Sequence, residues 1–146
     1  MTIKITEREH RNIFQLLQKE LEDESLAFYM GAYISDEYAK NSIIASYKEI
    51  NHCNTACCIA GLIPKVAPKF ANYYLQTDNT RYNFNSMSTA LLSDLEEEIK
   101  DTVWEYLFSS GYPSDKQAAI KRIQSVLDGI GYYGMWLHMY LEGIKH

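Results

Sequence analysis

The chain has 146 residues, 14 basic and 19 acidic side chains and a formal net charge of −5, and at 47% apolar it can bury a core without disulfides or metals. Residues 1–50 carry nine acids and six bases, residues 51–85 one and three, and residues 86–146 nine and five; acid in both flanks repels phosphate and excludes direct nucleic-acid binding through a basic patch. The apolar run Ala56 to Ile63 is eight residues long and stops at Pro64, far short of the ~20 that a bilayer span needs, so no membrane helix is expected.

Met1 to Thr6 has no apolar segment after its single Lys, which argues against a secretory signal and for a cytoplasmic protein. Thr6-Glu7-Arg8-Glu9 has the form of a capping box, and Ile13, Phe14, Leu16, Leu17 and Leu21 then recur at helical spacing, which predicts a helix from about residue 7 to 22. Leu26 to Tyr38 is aromatic and apolar and reads as helical, and Ser42 to Ile50 can continue as a further helix. Pro64 and Pro68 interrupt the small apolar stretch that follows Asn54-Thr55, and Gln76 to Ser86, rich in Asn, Thr and Asp, reads as the main loop. Ser88 to Ser93 and Asp94 to Phe108 are expected helices, the second with Leu95, Ile99, Val103, Trp104 and Leu107 on one face. Ser114-Asp115-Lys116-Gln117 is a second capping box, and Gly129 a natural stop for the helix it opens. A last helix is expected at about Tyr132 to Glu142. No alternating pattern reads as a strand. The expected architecture is all-α, one domain over residues 1–146 built as a bundle of about five to seven short helices.

Three Cys, two of them adjacent at Cys57 and Cys58, give no even-numbered disulfide framework, so reduced thiols are expected. The segment His52 to Gly61 is the one that generic folding explains least. With Thr55 as N-cap, Cys57 and Cys58 fall at the second and third helical positions, where unpaired amides and the helix dipole lower a thiol pKa. A redox thiol or a packed seam of small side chains both fit. His52, Cys53 and Cys57 offer metal ligands, but a structural zinc site needs four, and His10, His138 and His146 stand in no paired motif. Glu7 with His10 and Glu49 with His52 are Glu-x-x-His pairs of the di-iron kind, yet the first lies in a helix's opening turn, where such a site cannot form. His138 and Glu142, four residues apart, read as a surface pair. No phosphate loop, nucleophile elbow or H-E-x-x-H occurs, and neither a catalytic residue, a metal nor a cofactor is assigned.

His52-Cys53-Asn54-Thr55-Ala56-Cys57-Cys58-Ile59-Ala60-Gly61 resembles an H-C-G-T-x-x-C-x-A-G pattern of small, mostly uncharacterised proteins of phages, prophages and bacteria. Phe28 to Tyr33 looks like that family's F-x-M-x-x-W/Y element, Trp104 to Phe108 like its W-x-x-L-F, and Ala118 to Ile123, with one residue more before Arg122, like its A-A-x-R-I helix. Asn54 stands where the pattern has Gly, and the spacer between Met30 and Cys53 is unusually long. The resemblance implies a small helical accessory protein of mobile-element origin and transfers no catalytic residue.

Two surfaces are candidates for a partner. Glu20, Glu22, Asp23 and Glu24 form one acidic cluster, and Asp94, Glu96, Glu97, Glu98 and Asp101 another; each serves either as a solvated helix face or as a patch for a basic protein. Lys116, Lys121 and Arg122 are the only basic group of note. Tyr132, Tyr133, Met135, Trp136 and Tyr140 crowd one short helix, so some of them must reach the surface, where aromatic side chains favour protein contacts. The expected function is non-enzymatic binding of a host protein complex through these acids and aromatics, most concretely inhibition of a defence system such as CRISPR. The alternatives are a thiol or metal protein centred on His52 to Cys58, or a helical module that pairs as a homodimer through its last helix.

Overall fold

Glu7 opens the first long helix, and its carboxylate accepts the His10 N–H at 2.8 Å, which satisfies one of the four amides a helix start leaves unpaired. The computed structural model describes residues 2–23, 34–36, 55–57, 59–74, 84–108 and 115–142. In chain order these form β1 (Thr2–Ile3), α1 (Arg8–Leu21), β2 (Ile34–Asp36), β3 (Thr55–Cys57), a 3₁₀ turn (Ala60–Leu62), α2 (Ile63–Val66), α3 (Pro68–Asn72), α4 (Phe84–Ala90), α5 (Glu97–Phe108), α6 (Lys116–Asp128), β4 (Ile130–Gly131) and α7 (Tyr132–Leu141). The all-α expectation holds.

Among the described residues four short strands depart from it. β1 pairs antiparallel with β4, and β2 with β3 in the register Ile34 to Cys57, Ser35 to Ala56 and Asp36 to Thr55. Thr55 is therefore a strand residue and not a helix cap, and residues 34–36 of the expected helix 26–38 are extended. The remainder of that expectation, and the helix over residues 42–50, lie outside the described residues. Pro64 and Pro68 sit in the first turns of α2 and α3, where a missing N–H costs nothing; the prolines that break the apolar stretch also start its two short helices. Phe84 begins α4 inside the segment expected as loop, and the expected helix from Asp94 starts at Glu97, after turns over residues 91–94.

α1 and α6 pack against each other, with Ile13, Phe14, Leu17 and Leu21 meeting Ala119, Ile123, Val126 and Leu127 in one buried core. Phe14 stacks on Phe108 of α5, and Met135 and Met139 of α7 join the same core. The N-terminal arm is sewn down before α1 begins. Ile5 N–H donates to the Val126 carbonyl at 2.9 Å, and Arg11 Nη1 donates to the carbonyls of Ile5 and Leu127 at 2.6 and 2.8 Å. Asp115 caps α6 by accepting from Gln117 N–H at 2.9 Å and Ala118 N–H at 3.4 Å. Gly129 ends α6 with φ at +101°, a conformation L side chains rarely adopt. A Cβ there would stand 3.0 Å from Thr2 Cγ2, so the turn that pairs β4 with β1 needs glycine for space as well.

Candidate functional site

The acids of the second cluster divide. Asp94 is largely buried: its Oδ2 accepts from Thr6 N–H at 2.8 Å, Thr6 Oγ1 at 3.1 Å and Glu7 N–H at 3.3 Å, while His10 Nδ1 lies 3.5 Å from Oδ1. Burial raises its pKa, but the amide and hydroxyl donors outweigh that and hold the carboxyl below its ordinary 3.8. It fastens the start of α1 and offers nothing to a partner. Glu96, Glu97, Glu98 and Asp101 are exposed at the beginning of α5, where the dipole and unpaired amides favour acids. Glu97 pairs with Lys100 at 2.8 Å, an exposed contact that salt screens.

The first cluster lies elsewhere. Glu22 caps the end of α1 and Asp23 follows it, both exposed, and the Asp23 carbonyl accepts from Lys116 Nζ at 2.7 Å. Lys116 is the first residue of α6, so this cluster sits a helix length, roughly 20 Å, from the end of α6 that leads into α7. Glu24 is outside the described residues. The expected basic group also dissolves: Arg122 is wholly buried on the α6 face it shares with Ala119, Ile123 and Val126, and Lys116 is turned to Asp23.

The aromatics form a chain of edge contacts, with Tyr132 5.8 Å from Tyr133 and 6.2 Å from Trp136 between ring centres. Tyr132 and Trp136 are half-buried against the core, and Tyr133 is 85% exposed. An open cleft of about 480 Å³ lies between the starts of α5 and α7, lined by Glu98, Ile99, Gly131, Tyr132, Tyr133 and Gly134. Here the acidic and aromatic candidates meet. The cleft has an apolar floor and one carboxylate at its edge, a combination that receives an amphipathic side chain with a cationic or hydroxyl tip.

On its opposite side α7 carries polar contacts in which His138 and Glu142, expected as a surface pair, are half-buried. Tyr106 is buried, which raises its pKa and keeps its hydroxyl protonated. Its oxygen lies 2.6 Å from His138 Nδ1, His138 Nε2 lies 2.8 Å from Glu142 Oε1, and Arg122 Nη1 donates to Glu142 Oε2 at 2.9 Å. With a neutral imidazole, all of these are hydrogen bonds only if Nδ1 accepts from the tyrosine and Nε2–H donates to the carboxylate. The series joins α5, α7 and α6, and with its tyrosine wholly buried it acts as a cross-link. Tyr106 and Arg122 had no local signal, because their partners are 32 and 20 residues away.

Cys57 lies in β3, which removes the helix terminus expected to activate it. His52, Cys53 and Cys58 are outside the described residues, and among the described residues no group of three or more His, Cys, Asp or Glu could hold a metal ion. Among them, too, no helix is long and apolar enough to cross a membrane. No family model, curated protein or solved structure matches the chain.

Proposed function

We propose that this chain is a non-enzymatic binding protein of phage or mobile-element type, acting in the cytoplasm, that occupies a host protein complex through the acidic start of α5 and the aromatic start of α7. Its most concrete form is an inhibitor of a defence complex such as CRISPR machinery. The observation that carries the binding role is the cleft in which Glu98 meets Tyr132 and Tyr133. Glu96, Glu97 and Asp101 extend the negative surface beside it, and Trp136 backs Tyr132. Exposed acids of one sign speed encounter with a basic surface, and an aromatic pocket beside them supplies the desolvated contact that holds it. The mobile-element origin draws on the sequence resemblance alone. Asp94 leaves the proposed surface because its carboxylate is engaged by the start of α1.

The test is a tagged pull-down from host lysate at moderate salt, with the triple variant Glu96→Lys, Glu97→Lys, Glu98→Lys run in parallel. The expected result is one stoichiometric host complex on the wild-type chain, lost from the variant and weakened by added salt. Equal retention by both chains overturns the acidic surface, and no retention by folded wild-type chain overturns the binding role.

A further inference from the structure

α7 has no Asp, Glu, Lys or Arg anywhere in Tyr132–Leu141. Its inner side is accounted for by Met135 and Met139 in the core and by His138 against Tyr106. Its outer side is apolar as well: Tyr133 is 85%, Leu137 59%, Tyr140 78% and Leu141 72% exposed. These four residues recur at i, i+4, i+7 and i+8, so they form one continuous stripe along the helix. A helix that is apolar all round belongs in an interior, and this one has half its circumference in solvent. Two tyrosines and two leucines exposed to this degree present on the order of 600 Å², at the upper end of what monomers leave uncovered.

We propose that the outward face of α7 is a homodimer contact, in which a second copy of this chain packs antiparallel across a two-fold axis at Leu137. The spacing of the stripe is self-complementary about that residue. Tyr133 and Leu141 stand four positions to either side of Leu137, and Gly134 and Tyr140 three. An antiparallel two-fold therefore sets Leu137 on its own copy, Tyr133 on Leu141 of the second copy, and Tyr140 over Gly134 of the second copy. Each contact occurs twice, as an isologous interface demands. Gly134 is exposed, and a side chain built there would meet only Ile130 Cγ1 at 3.7 Å, so the space above it is open to receive a ring. The paired faces remove up to roughly 1,200 Å² from water, the lower edge of the range for specific interfaces and the size of a reversible dimer.

Matched apolar surface, not charge, selects the second copy at this face: the stripe carries no charged side chain, and Glu98 is the acid at the edge that Tyr133 and Gly134 share with the cleft. The inference does not rest on the acidic-surface reading. Gly134 lines both the stripe and the cleft, so self-pairing competes with a partner for the cleft and leaves Glu96, Glu97 and Asp101 open.

Sedimentation equilibrium of the purified chain over a wide concentration range tests the proposal. The expected result is a reversible monomer-dimer transition in the wild type, at least tenfold weaker in Leu137→Glu and in Gly134→Leu. The second variant fills the proposed hole where nothing in the monomer is crowded, so an unchanged far-UV spectrum separates loss of pairing from loss of fold. Gln15→Lys, on the exposed side of α1, leaves the transition in place. A wild-type chain that stays monomeric at the highest concentration overturns the proposal and gives the face to a partner of another kind. A dimer that both α7 variants leave intact overturns it as well.

Discussion

α1 and α7 stand near the two ends of the chain and solve the same problem differently. α1 sends Ile13, Phe14, Leu17 and Leu21 inward and keeps Arg8, Glu9, Asn12, Gln15 and Lys19 at the surface, so its one exposed leucine, Leu16, stands among polar and charged neighbours. α7 sends Met135 and Met139 inward and has Tyr133, Leu137, Tyr140 and Leu141 outside, with no charge to solvate that side. A helix made for the monomer surface alternates apolar and charged faces, and α7 lacks the charged one.

The inward faces should behave alike when broken. Phe14→Ala empties a wholly buried position stacked on Phe108, and a loss of about 4 kcal/mol in urea unfolding is expected. Glu142→Ala leaves Arg122 buried without its carboxylate, for which about 3 kcal/mol is expected. Replacing both members, as Arg122→Met with Glu142→Leu, should recover part of the second loss, because the apolar pair carries no desolvation cost while His138 Nε2 still loses its acceptor. Failure of the double variant to recover would make the ion pair more than a cross-link.

Asp94 sharpens the contrast from the α1 side, since it fastens the beginning of that helix from another part of the chain. Asp94→Ala should cost about 1.5 kcal/mol at neutral pH, the size of a lost helix cap. Its pKa is depressed in the fold, so the stability it contributes is complete above the ordinary carboxylate range and disappears as pH falls through the depressed value. The wild-type and variant unfolding curves should therefore converge below about pH 4. A difference that stays constant down to acid pH would mean that the aspartate acts through shape and not charge.

The long helices were legible because their signals are local. α1, α6 and α7 start and stop within a residue or two of the positions their spacing and breakers indicate. Each capping box was read one residue early, with Glu7 and Asp115 as the caps in place of Thr6 and Ser114. For Thr6 the cause is distant: its hydroxyl and amide are taken by Asp94, 88 residues away. The strands were invisible because ladders of two or three residues are too short to alternate, and pairing Thr55–Cys57 with Ile34–Asp36 is a tertiary event. The acids and aromatics of the candidate surface were visible as composition. Their meeting at Glu98, Tyr132 and Tyr133 depends on how α5 and α7 pack, as do Tyr106 on His138 and Arg122 on Glu142.

The smallest effect on the fold is also the most discriminating. Tyr140 is next to Met139 in sequence and on the other side of α7, one 78% exposed and the other buried. Tyr140→Ala should change the stability of the dilute monomer by no more than about 0.5 kcal/mol, because it removes surface that the single chain never buries. At high concentration its effect should grow. Pairing stabilises the folded state by mass action, so the wild-type Tm should climb with protein concentration, and the climb should be weaker in Tyr140→Ala and in Gly134→Leu. Thermal unfolding over a hundredfold concentration range measures this directly. Equal slopes in wild type and both variants would mean that α7 leaves its apolar side uncovered by a second copy, and the contrast with α1 would then concern a different partner.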